Sequence, residues 1–317
     1  MKFFPVLIAS YLFTVAESLR VAVIGPTGNI GRSVVKELSQ QNIPTRCLLR
    51  HDISTIPQTE TPTTSAEVAA SLASLHHVEM VKGDVTDVES IKELVKDCDV
   101  VMALQGPPRP NPLLSLFPIF SNQNDPAHPY MTNYVGVKNI ILAAKATSSV
   151  KRIVRLTGKG EDPFSIFSIL INMLGFLAKG WNYEGEQLLR ESGLEYTIVR
   201  PGILKDPSEY PEPQKARGLT DNGGDMKVSL VTYDQIAQLC VDSIKFDHIK
   251  KCTLSAMNVD ENAGEDDYKG LLQKVQDDRR EFKSSLIDKH RKGARVGFAC
   301  LTLFCGIFLS GLRFIVG

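Results

Sequence analysis

The stretch Val21–Gly31, VAVIGPTGNIG, constrains this chain more than any other. A short run of small and β-branched apolar residues leads straight into a glycine turn, and the helical pattern RSVVKELSQQ follows. Buried strand, glycine turn and helix start, in that order, are the local setting of a dinucleotide phosphate site. Gly25 permits the tight turn off the strand, Gly28 lets backbone approach a pyrophosphate, and Gly31 lets the helix pack closely on the strand. The helix start offers unpaired N–H groups and the positive end of its dipole to the phosphates. Gly25, Thr27, Gly28, Asn29, Ile30 and Gly31 are therefore the expected diphosphate cradle. An ordinary strand-to-helix turn is the competing reading.

Further strands are expected at PTRCLLR, VEMV, DVVMALQG, KRIVRLTG and LEYTIVRPG, alternating with helices such as VESIKELVKD and YMTNYVGVKNIILAAKA. Strands alternating with helices predict a parallel sheet covered on both faces. The second strand ends in Arg50, where an NAD site usually has an acidic group for the ribose 2′-hydroxyl. An arginine there can pair bidentately with a 2′-phosphate, so NADP is expected over NAD, with Asp52 nearby as the acidic alternative. Asp84 and Val85 follow the third strand, Asp87 is placed to cap the next helix, and Gly106 ends the fourth.

Lys+Arg and Asp+Glu balance at 36 each, so charge gives no argument for nucleic acid. The six cysteines have no CxxC spacing and no histidine clustering, which points to buried thiols rather than a metal site or disulfide frame. No Asn-x-Ser/Thr sequon occurs. Residues 1–16 read as a signal peptide, or else as an N-terminal hydrophobic segment. Val296–Leu312 is charge-free and close to the lower limit of about 17 residues for a span, so a C-terminal transmembrane anchor is expected there. A cleaved signal implies a lumenal domain, whereas Arg291, Lys292 and Arg295 before the span favour a cytoplasmic one. The chain is thus expected on a membrane, that of the endoplasmic reticulum or another organelle, with its side open.

The expected organisation is a nucleotide-binding domain over 19–257, a charged linker with an amphipathic helix over 258–295, and the anchor over 296–312. Tyr268, Leu271, Leu272, Val275, Phe282 and Leu286 fall near helical spacing in that linker. Residues 54–65 read as a mobile Thr/Pro/Ser-rich loop. The proline-rich stretch after Gly106 is expected to be a substrate lid. Phe164–Ala178 is too short to span a bilayer comfortably, and reads as a helix on the sheet or lining an apolar pocket.

GPTGNIG, the arginine after strand two, GDVTD, NYVGVKNIILAA and GEQLLRESGLEYTIVRPG together resemble the atypical short-chain dehydrogenase/reductase family, in its NAD(P)-binding, NmrA-like branch. The resemblance covers roughly residues 20–257. It implies a Rossmann-type doubly wound α/β sheet with the nucleotide at the carboxyl ends of the strands. It further implies diphosphate contacts from Gly25 to Gly31, a 2′-phosphate contact from Arg50 and adenine contacts from Asp84 and Val85. Gly106, Thr157 and Pro201 would flank the ribose and nicotinamide.

The catalytic members carry a Tyr-x-x-x-Lys pair before a glutamate. Aligning that glutamate with Glu186 puts Ala178 at the tyrosine position and Asn182 at the lysine position. Ala178 has no proton to give, and Asn182 cannot supply the charge that lowers a tyrosine pKa. Tyr183, Tyr134 and Lys179 are nearby substitutes, each with a structural role as its competing reading, and no catalytic residue is assigned. The leading expectation is an NADP(H)-binding, membrane-anchored reductase of a small apolar substrate. The alternatives are a non-catalytic NADP(H)-binding scaffold or redox sensor, and a lipid- or quinone-handling protein.

Overall fold

The computed structural model describes residues 19–53, 64–107, 122–126, 128–209, 216–224, 226–260 and 263–316, with side chains as far as 303. The expected signal segment, the 54–63 loop and most of the proline-rich lid lie outside the described residues.

In chain order the elements are β1 (Val21–Ile24), α1 (Asn29–Gln40), β2 (Thr45–Leu49), α2 (Ser65–Ala73), β3 (Val78–Lys82), α3 (Val88–Val95) and β4 (Val100–Ala103). A π-helical turn, Tyr130–Val135, runs into α4 (Gly136–Thr147), followed by β5 (Arg152–Leu156), α5 (Ile166–Leu174), α6 (Ala178–Glu191), β6 (Glu195–Pro201) and β7 (Ile203–Lys205). The remainder comprises β8 (Arg217–Thr220), β9 (Leu230–Thr232), α7 (Tyr233–Ser243), β10 (Lys251–Asn258), α8 (Tyr268–Lys274) and α9 (Ile287–Val316).

β1 is buried along its whole length, as an unbroken apolar run at a sheet centre must be. Its alternation sends Val21 and Val23 to one face, against Val34 and Leu38 of α1 and Ile236 of α7. Ala22 and Ile24 go to the other, against Ile91 and Leu94 of α3 and Ile140 of α4. The sheet order is β3-β2-β1-β4-β5-β6-β10-β8, parallel throughout except for the antiparallel edge strand β8. This is the expected doubly wound α/β sheet. Its order reverses direction between β1 and β4, which opens a crevice at their carboxyl ends.

Two expectations at the C-terminal end are corrected. The helical spacing of Tyr268–Leu286 is realised only over α8. From Val275 to Leu286 the chain is a non-helical strap held by side chains. Asp278 accepts from Thr253 and Tyr196, and Arg279 pairs with Asp221. Phe282 lies between the Arg190 and Arg280 guanidinium groups, 3.8 and 3.9 Å from its ring. Sequence spacing cannot distinguish a helix from a strap whose apolar residues find separate partners.

The expected anchor is not a free span. Val296–Leu312 belongs to α9, which begins at Ile287 and whose early turns dock on the domain. His290, 1% exposed, meets the Asn172 amide at 2.8 Å. Gly293 and Gly297 lie against Pro163, Ile169 and Met173, close enough that any Cβ would collide. Among the described residues no helix is long and apolar enough to cross a membrane. α5 in turn is not buried against the sheet. Ile169 and Met173 face α9, while Ile166 (80%), Phe167, Leu170 and Leu174 are exposed.

Candidate nucleotide and ligand cavities

The carboxyl edge of the sheet carries two cavities. The first, of about 390 Å³, lies at the ends of β1, β2, β3 and β4. It gathers Gly25, Thr27, Gly28, Arg50, Asp84, Val85 and Gly106. Gly25 turns the chain at φ +82°, and a Cβ there would stand 2.9 Å from the Gln105 backbone. Gly28 differs: its missing Cβ would meet only the Gly25 carbonyl, at 3.5 Å, so the space it leaves belongs to the cavity. Gly28 is also the N-cap of α1 and places no side chain over the first amides. Thr64, Asp87 and Thr232 do cap α2, α3 and α7. The α1 amides are thus left free for an outside acceptor.

Two more side chains fit a polar ligand in this cavity. The Gln105 carboxamide is buried and neither end has a hydrogen-bond partner. Arg50 is exposed on the rim, with no ion-pair partner among the described residues. Asp84 gives one carboxylate oxygen to the Thr86 amide and hydroxyl at 2.8 and 2.7 Å, which fixes the turn after β3. The Val85 carbonyl accepts from Asn139 at 3.0 Å. These features fit a dinucleotide, which needs amide donors, a close backbone and a cation.

The second cavity, of about 360 Å³, lies at the ends of β5 and β6 under α5 and α6. Thr157 and Pro201 line this one, not the first. Its floor is an ionic cluster around Glu186, which is 2% exposed. Glu186 receives Thr157 at 2.7 Å, Arg190 at 2.9 Å and a bidentate contact from Arg200. Arg200 also reaches Glu161 at 2.6 Å. Burial alone would raise the Glu186 carboxyl, but Arg200 and Arg190 outweigh it and hold the group well below the usual carboxylate range.

Arg155, fully buried on β5, stands between the cavities. It donates to the Ala103 and Gln105 carbonyls at 3.0 and 2.9 Å, and to Asn133 and Asn182 at 3.3 and 3.1 Å. Asn182, at the expected lysine position, is thus an acceptor for a strand arginine.

The structure divides the expected cradle. Gly25, Thr27 and Gly28 line the first cavity, whereas Asn29 is the exposed first residue of α1, Ile30 is in the core, and Gly31 is buried against the Gly25–Pro26 backbone. Tyr183 is unsuited as a substitute acid. Its hydroxyl donates to the Lys283 carbonyl of the strap at 2.7 Å, and burial pushes it up to about 12. Tyr134 stacks on Tyr130 at 5.6 Å and lines neither cavity. Lys179 does line the second, with its amine on Ser168 at 2.6 Å.

Sequence reasoning missed Gln105, Arg155, Arg200 and Glu161. The arginines had a signal, because each follows a pair of β-branched apolar residues, Ile153-Val154 and Ile198-Val199, inside a buried strand where an unpaired charge is costly. Gln105 and Glu161 lie in strand-end loops and had none. Cys47, Cys98, Cys240 and Cys252 are buried as expected, whereas Cys300 is exposed on α9, and the Cys305 side chain lies outside the described residues.

The model of a family described as NAD(P)H-binding matches residues 25–247. An uncharacterized chloroplastic protein of Arabidopsis thaliana is 27% identical over 266 residues, covering 82% of this chain and 76% of its own. Protein TIC 62 of the same plant is 25% identical over 192 residues, 60% of this chain but only 28% of the relative's length. A short-chain dehydrogenase/reductase of Veillonella parvula, solved in complex with NADP, superposes with a TM-score of 0.54 at 13% identity. That likeness covers 75% of this chain and 94% of that one, and shows the fold alone.

Proposed function

The chain belongs to the NAD(P)H-binding family, and we propose that it is an oxidoreductase that uses NADPH in preference to NADH to reduce an apolar acceptor. The observation that carries this reading is the first cavity, where an uncapped helix start, an open Gly28 and an exposed Arg50 with no ion-pair partner among the described residues share one rim. The α1 amides take the diphosphate. Arg50 takes the 2′-phosphate, while Asp84 and Val85 bound the adenine end. Gly106, Thr157 and Pro201 lie at the strand ends facing the nicotinamide half. NADPH, when bound, supplies a hydride. The second cavity then holds the acceptor against the apolar side chains of α5 and β7.

Titration of the protein with both nucleotides tests this. Arg50→Ala removes charge-assisted hydrogen bonds worth about 1.5–3 kcal/mol. NADPH affinity is expected to fall roughly 10- to 150-fold, with NADH affinity unchanged. Equal losses for both nucleotides, or none, contradict the assignment.

A non-catalytic NADP(H)-binding scaffold is the second reading. Ala178 and Asn182 at the expected acid–base positions, and Tyr183 tied to the strap, favour it. Steady consumption of NADPH in the presence of apolar carbonyl and quinone acceptors excludes it.

Attachment to a membrane surface through α5 and α9 also belongs to this reading. Its support is the exposed Ile166, Phe167, Leu170 and Leu174 beside the apolar run of α9, with Lys292 and Arg295 at its start. Flotation with vesicles containing anionic lipid is the test. Ile166→Asp with Phe167→Asp is expected to reduce the floating fraction, and unchanged flotation counts against the α5 contact.

A further inference from the structure

Within the second cavity, most polar side chains are already spent on the protein. The Thr157 hydroxyl is on Glu186, Arg200 is divided between Glu186 and Glu161, and the Tyr183 hydroxyl is on the Lys283 carbonyl. Asn182 accepts from Arg155. Lys179 differs. It is 9% exposed and stands in the wall of the cavity. Among the described residues its one hydrogen bond is to the Ser168 hydroxyl at 2.6 Å, a hydroxyl that in turn donates to the Asp162 carbonyl at 2.6 Å, and the amine also lies 5.6 Å from the Phe167 ring centre. An ammonium group carries three donors, so two remain. No carboxylate lies within ion-pair distance of Lys179 among the described residues.

The rest of the wall is apolar: Phe167, Ile171, Ile203, Leu204 and Val228. A buried cation without a counter-ion is costly, and the cost is relieved when a ligand brings the anion. Burial pushes the Lys179 amine down to about 8, with Arg200 adding to this and Asp162 and Glu186 opposing it. The volume, about 360 Å³, is that of a small-molecule site.

We infer that this cavity, read above as the acceptor site, binds an apolar molecule ending in a carboxylate, with the Lys179 amine holding the carboxylate and the α5 and β7 side chains holding the hydrocarbon. The inference rests on that placement of the acceptor, but its test is independent of the nucleotide.

The test is calorimetric titration of the full-length protein with decanoate and, as the uncharged counterpart, 1-decanol. Decanoate is expected to bind at least 10-fold more tightly than 1-decanol. Lys179→Met should abolish that preference by weakening decanoate at least 10-fold, with 1-decanol unchanged and the circular dichroism spectrum of the wild type retained. Lys179→Arg should retain most of the preference. Ala178→Phe, which fills the cavity, should weaken both ligands. Decanoate binding that survives Lys179→Met, or both ligands surviving Ala178→Phe, overturns the inference. NADPH is titrated separately on the wild type, so loss of nucleotide binding with decanoate recognition intact would sink the oxidoreductase reading alone.

Discussion

Glu186 is the residue on which the charge balance of the second cavity turns. It is one carboxylate against two buried arginines, and its remaining lone pairs go to Thr157. Taking ions out of water costs several kcal/mol each, and the cluster is tolerable only because every member is paired. Glu186→Gln leaves Arg190 and Arg200 short of a counter-charge and is expected to cost about 3–5 kcal/mol, measured by urea unfolding. The carboxyl lies below its ordinary value in the folded state. Its stabilisation is therefore complete above the unfolded value of about 4.3 and is lost as pH falls further. The Gln variant should lack that acid limb. What was legible here was local: Glu186 was found because a helix motif pointed to it. Its partners outside the helix come from the end of β5 and from β6, and no spacing rule joins Thr157 and Arg200 to one carboxylate, or Glu161 to the same arginine.

At the scale of elements, α9 is held by fit rather than by hydrophobicity alone. Gly293 and Gly297 let it approach Ile169 and Met173 of α5, and His290 is buried between Asn172 and the Lys179 region. Burial, reinforced by the Lys179 charge and opposed by Asp162, brings the imidazole down to about 4. A base with a depressed value stabilises the fold most above its unfolded value of about 6.5, and the contribution falls away as pH drops toward 4. Undocking of α9 is thus expected between about pH 6.5 and 4. Trp181, the single tryptophan, shares a groove with Arg295 and Phe298 of α9, so its fluorescence reports the change. His290→Gln should flatten the curve, and a variant that keeps the wild-type transition contradicts this account. The sequence presented α9 as an apolar run and the strap as a helix. Both misreadings have one cause: periodicity records which residues are apolar, not which surface each one meets. β1 with α1, by contrast, was readable because strand, turn and helix are contiguous and their burial is set by the local pattern.

Over the whole molecule, one sheet edge carries the cavity proposed above for the nucleotide, built from the first half of the sheet, and the cavity proposed for the ligand, built from the second, with the buried Arg155 bonded to a lining residue of each. The first was visible in the sequence because its critical parts lie in a single βα unit and at the ends of the next strands. The second was visible only in pieces, at Thr157, Pro201, Lys179 and the apolar stretch Phe164–Ala178, because the end of β5, α5, α6, the end of β6, β7 and Val228 bring its walls together from residues 157 to 228. The strand order allows both, since the crevice at the reversal between β1 and β4 fixes where a dinucleotide can lie. The most direct measurement is calorimetric titration of the full-length protein and of Gly28→Val with NADPH. The missing Gly28 Cβ points into open cavity space rather than into packed backbone, so the variant should fold with a stability within about 1 kcal/mol of wild type. Its side chain would occupy the diphosphate cradle, so NADPH binding should fall more than 100-fold. A folded Gly28→Val protein that binds NADPH as the wild type does would contradict the placement of the nucleotide, and with it the proposed function.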